Sequence, residues 1–149
     1  MALHQVCRQV RRMLLTWTET RDLIFYDDKE FGMKEAFRSL QAQDVPGALG
    51  RSLEALARAK AEPRGRPRSL ARTHYNLGMC HFILGDCEAA RPLLQAALAL
   101  EPGHGIFQES LGECLRAQQL REAMAQVDSR TRRLDPPPAA PKPGPGVRF

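Results

Sequence analysis

Few side chains here have types and spacings that could do chemistry. Cys80, His81 and Cys87 lie close together. Thiols and an imidazole can hold zinc, but such sites draw on paired Cys-x-x-Cys or His units, and no second pair follows. The bland reading is reduced thiols packed as small hydrophobes, and it is preferred. Arg64, Arg66 and Arg68 stand in a Pro- and Gly-broken stretch, Glu-Pro-Arg-Gly-Arg-Pro-Arg. An extended Arg-Gly-Arg can follow the negative potential of an A·T minor groove, and against this stands a solvated loop. Glu109 and Glu113 fall one helical turn apart and would share a cation, or pair as a solvated face with Arg116. There is no nucleophile elbow, phosphate-binding glycine loop, His-Glu-x-x-His or dinucleotide fingerprint. Nothing supports catalysis, and no cofactor or metal is expected.

The elements that would position these groups are helices. From Ala71 to Pro102, Tyr75, Leu77, Gly78, His81 and Phe82 recur at three- and four-residue steps, which puts them on one helical face. Gly85-Asp86 interrupts the pattern, and Asp86 can cap a second helix. Ala90, Leu93, Leu94, Ala97, Leu98 and Leu100 form its apolar stripe, and Pro102 ends it, having no N–H to donate. The unit recurs: Leu77-Gly78 returns as Leu111-Gly112, Cys80 as Cys114 and Pro102 as Pro136, each after 34 residues.

Leu-Gly early in the first helix, Gly at the turn, small residues at Ala90 and Ala97 and a closing Pro, repeated every 34 residues, resemble a tetratricopeptide repeat. His74 stands where the family has Trp, and His81 where it has an aromatic. The resemblance implies an all-α fold, a right-handed helical solenoid of about three helix–turn–helix repeats. Gly78 and Gly112 are expected to let neighbouring backbones approach. Family members bind peptides in a concave groove lined by the first helices. Alignment of the repeats carries those positions onto Met33 and Phe37, then Arg72, Tyr75, Asn76 and Met79, then Ile106, Glu109, Ser110 and Glu113. Only Asn76 matches the family's clamp for a chaperone carboxylate, so carboxylate capture is not expected; Phe37, Tyr75 and Met79 call for apolar side chains and Glu109 and Glu113 for a cation, which implies an apolar peptide carrying basic residues. The implied function is a non-catalytic protein–protein interaction module, a scaffold, adaptor or co-chaperone-like protein. The alternative is a nucleic-acid-binding module using the basic loop, whose core is similar to an AT-hook, together with the tail.

With 149 residues, 43% of them hydrophobic and 26% charged, the chain suits one domain with a modest core. No apolar run is long enough to span a membrane. Residues 1–28 read as an amphipathic helix from Ala2 to Trp17, with Val6, Val10, Met13, Leu14 and Trp17 on one face, and a connector that buries Ile24 and Phe25. Its basic, acid-free start fits either packing on the first repeat or a mitochondrial presequence; the cytoplasm is the expected compartment. Residues 29–61 form a degenerate repeat with Gln43 at its turn, 62–68 a basic loop, and 69–102 and 103–136 two further repeats. Residues 137–149, rich in proline, are expected to be disordered, with polyproline-II character. Net charge is +5, and it is uneven. Between Arg58 and Arg72 six basic residues face one acid, whereas Thr73 to Asp128 holds three basic and seven acidic residues. This asymmetry bears on partners and not on fold.

Overall fold

The computed structural model describes residues 23–62 and 66–134, with side chains described as far as residue 131. A segment without regular secondary structure, residues 23–28, leads through a single 3-10 turn, Glu30–Gly32, into five α-helices. These are α1 (Met33–Gln41), α2 (Val45–Ala61), α3 (Pro67–Ile83), α4 (Cys87–Leu100) and α5 (Gly105–Leu134). Each helix packs chiefly on the one before and the one after it. No strand occurs among the described residues.

Local chemistry sets the first two helix pairs. At the α1–α2 turn Gln43 takes a left-handed conformation with φ 60°, and at the α3–α4 turn Gly85 does so with φ 81°. In each turn the next residue's N–H reaches back five residues: Asp44 to the Ser39 carbonyl and Asp86 to the His81 carbonyl, both at 2.9 Å. This is the closure that satisfies the last carbonyls of a helix. Each aspartate then caps the following helix, Asp44 Oδ1 accepting from the Gly47 N–H at 2.9 Å and Asp86 Oδ1 from the Ala89 N–H at 3.1 Å. The two turns therefore match at an offset of 42 residues, Gln43 to Gly85 and Asp44 to Asp86. The interior obeys the same offset. Ala48 and Ala55 on α2 and Ala90 and Ala97 on α4 are all buried, which is where small residues are expected with Gln43 at the turn.

The main core joins Ala71, Tyr75 and Met79 of α3, Cys87, Ala90, Leu94 and Ala97 of α4, and Phe107 and Cys114 of α5. Close approach of α3 to α4 depends on Gly78. A Cβ there would lie 3.0 Å from Leu94 Cγ and 3.3 Å from Leu93 Cβ.

Four expectations change. Residues 103–136 do not form a helix–turn–helix unit, because α5 runs unbroken for 30 residues. At the 34-residue period Gly85 and Asp86 map to Gln119 and Leu120, which supply neither a glycine nor a capping side chain, so nothing ends the helix. Among the described residues Gly112 consequently has no second helix against it; the nearest of their atoms to a Cβ there is an Arg116 guanidinium nitrogen at 3.5 Å. Ile24 is not buried but 47% exposed. Helix α3 begins within the expected basic loop, at Pro67, since a proline in the first turn needs no N–H and has a helical φ already. The N-terminal amphipathic helix expected from Ala2 to Trp17, Arg64, and the tail 137–149 lie outside the described residues. No described helix is long and apolar enough to cross a membrane.

Candidate functional site

The residues carried over as groove positions separate in the structure. Met33, Tyr75 and Met79 are buried, at 0%, 1% and 1% exposure. Their side chains offer no surface to a partner, because α2, α4 and α5 close over the faces they occupy. Phe37 is half-buried on α1, and Ile106 is half-buried against the main core. Glu109 is exposed and Glu113 half-buried on α5. Ser110 is buried, its hydroxyl 3.1 Å from that of Tyr75. Arg66 and Arg68 are exposed beside the start of α3, and Arg66 faces the Glu30 carboxylate at 3.7 Å.

What the structure does bring together is Arg72, Tyr75 and Asn76 of α3 with His104 and Phe107 at the start of α5. The segment 23–28 lies across them, centred on Tyr26. Asn76, itself 3% exposed, grips the backbone of Tyr26 from both sides of its side-chain amide. The Tyr26 N–H donates to Asn76 Oδ1 at 3.0 Å, and Asn76 Nδ2 donates to the Tyr26 carbonyl at 2.7 Å. That pair copies the bonding of a neighbouring strand, so a side chain does the work of a sheet edge.

The Tyr26 ring stands edge-on to Tyr75 at 5.5 Å, to His104 at 6.0 Å and to Phe107 at 6.0 Å between centroids. Beneath it Tyr75 stacks on Phe107 at 4.8 Å, and His104 on Phe107 at 4.0 Å. Offset and edge-on rings are favoured by their quadrupoles. The guanidinium of Arg72 lies 4.5 Å from the Tyr26 ring centroid, a cation–π contact. The Tyr26 hydroxyl is 3.2 Å from His104 Nε2. Two residues on, Asp28 accepts from Arg72 Nη1 at 2.6 and 2.8 Å, a charge-assisted contact with the arginine side chain only 16% exposed.

Burial decides how these groups titrate. It pushes the Tyr75 phenol up to about 12, against a smaller opposing effect of the Ser110 hydrogen bond, and pushes Tyr26 up as well, against Arg72. It also raises the thiols, Cys80 against its contact with Ser52 and Cys114 to about 11 with help from Cys87. Neutral phenols and thiols are poor nucleophiles near pH 7. The arrangement suits holding an extended chain through its backbone, one aromatic ring and one carboxylate. A separate open depression of about 370 Å³ lies between the α3–α4 turn and α5, where Arg121 donates to the Gly85 carbonyl at 2.6 Å.

Phe25, Tyr26, Asp28, His104 and Phe107 were not singled out as binding residues from sequence. The short apolar run before Asp27-Asp28 was the available signal, and four residues of it are too few to separate a strand from a helix end. Comparison with protein-family models, with curated proteins and with solved structures found no match for this chain.

Proposed function

We propose that this chain is a non-catalytic protein–protein interaction module of tetratricopeptide-like repeats, whose binding face takes a peptide in extended form. One observation carries the reading: Asn76 bonds both backbone groups of Tyr26. A backbone held in this way is the chemistry of strand addition, where main-chain bonds give affinity and side-chain pockets give specificity. Packing of each helix on its sequence neighbours supports a solenoid of such repeats. The ligand preference shifts from the one expected. Arg72 presents positive charge to a carboxylate at the centre of the face, so acidic and aromatic character is favoured over basic.

The test is selection of binding peptides from a displayed random library against the full chain, in parallel with Arg72→Glu and Asn76→Ala variants of unchanged helical content. Peptides that depend on both residues are expected. A set of binders indifferent to both changes would refute this face as the binding surface.

A further inference from the structure

Residues 23–28 meet the face with the groups a separate peptide would use. Asn76 reads only backbone, the ring cluster reads an aromatic with a hydroxyl, and Arg72 reads an anion together with the face of that aromatic. None of these contacts needs the segment to be part of the same chain. The segment is shallowly seated upstream, where Leu23 is 37% and Ile24 47% exposed. It is also an imperfect ligand. Among the described residues, Arg72 Nε and His104 Nδ1 are buried without a hydrogen bond, and Asp28 engages Arg72 through Nη1 alone. A carboxylate placed to accept from Nε as well would satisfy a buried donor that the segment leaves unpaired.

We propose that this face accepts, from a partner protein, an extended segment bearing a tyrosine and, two residues later, a carboxylate, and that residues 23–28 are a displaceable internal copy of that ligand. The inference rests on the reading of the face as peptide-binding and adds the ligand and its competitor. Competition favours the internal copy by proximity. Only Lys29 separates Asp28 from the 3-10 turn, and a short tether holds its segment at an effective concentration on the order of millimolar. A partner segment therefore gains access by binding better, through the unpaired Arg72 donor, or when the internal copy is weakened.

The experiment uses a fluorescent peptide with the sequence of residues 23–30 and the full chain, read by anisotropy. Against a Tyr26→Ser, Asp28→Ser variant the peptide is expected to bind at least about tenfold more tightly than against the unaltered chain. Replacing the peptide's own tyrosine by alanine, or its second aspartate by asparagine, should each cost about tenfold or more. A variant that keeps its helical circular dichroism yet does not bind the peptide overturns the proposal, as does equal binding by variant and unaltered chain. Should the variant lose its helices, amide hydrogen exchange on the unaltered chain decides the matter. Excess peptide must accelerate exchange of the Tyr26 N–H as Asn76 is taken over, and unchanged exchange overturns the proposal. If this peptide fails while library peptides still require Arg72 and Asn76, the ligand assignment falls and the peptide-binding function stands; if neither binds, both fall.

Discussion

Gly78 and Gly112 occupy equivalent places in the sequence period and different places in the fold, so the same substitution at both should act in opposite directions. Glycine inside a helix costs roughly 1 kcal/mol relative to alanine, because its backbone loses more freedom on folding. Gly112→Ala should recover that amount. Among the described residues the new methyl would meet only an Arg116 guanidinium nitrogen at 3.5 Å, an ordinary contact with the far end of a flexible side chain. Gly78→Ala gains the same backbone term and then meets α4. The methyl would sit 3.0 Å and 3.1 Å from Leu94 Cγ and Cδ2 and 3.3 Å from Leu93 Cβ. Leu94 is fully buried, so its side chain can yield only by shifting its own packing, and Leu93 Cβ is fixed to the helix backbone. Overpacking of this kind costs about 1–3 kcal/mol. The net change at Gly78 is thus a loss of about 0–2 kcal/mol, and the two variants should differ by about 1–3 kcal/mol. Urea unfolding followed by far-ultraviolet circular dichroism measures both variants against the parent. Equal shifts at the two positions would refute the packing of α3 on α4 described above, as would stabilisation of the Gly78 variant to match the Gly112 variant.

Three further outcomes are expected. Leu77, 2% exposed, should lose about 2–5 kcal/mol on substitution by alanine, a large share of a small domain's stability; a melting temperature barely changed would place Leu77 outside the core. Both tyrosines have their phenols held neutral, Tyr75 up to about 12, so their share of stability is full below the unfolded value of about 10 and is lost as pH rises above it. In an absorbance titration the Tyr75 phenolate should appear only as the helices melt, and ionisation of both tyrosines near pH 10 with helices intact would contradict the burial of Tyr75. His74 has its pKa lowered by burial and by Lys60, and its Nδ1 makes no hydrogen bond among the described residues. Its contribution is present above about pH 6.5 and lost as pH falls, so His74→Gln should flatten the acid side of a melting-temperature profile; an unchanged acid side would mean that other groups govern it.

The sequence by itself determined the local decisions. Asp44 and Asp86 as caps, Gln43 and Gly85 at turns, and Ala48, Ala55, Ala90 and Ala97 as small interior residues were legible because each depends on neighbours within a few positions. The all-helical character followed from the same signals. The continuous α5 was also written locally, in the missing glycine and cap at Gln119 and Leu120, but the 34-residue period suggested a turn that the residues do not support. Only the tertiary structure decided the site. Tyr26 meets Asn76 across 50 positions and His104 across 78, and no periodicity in the chain encodes a contact between an irregular segment and two separate helices. Tyr75 looks the same in sequence whether it faces a groove or an interior. It became interior because Phe107 stacks on one face of its ring and Tyr26 stands edge-on to it, so that the residue is 1% exposed and its phenol pairs with Ser110. Burial of this kind is settled by which elements arrive from elsewhere in the chain, and that is set by the sum of all the packing rather than by the residue's own type and spacing.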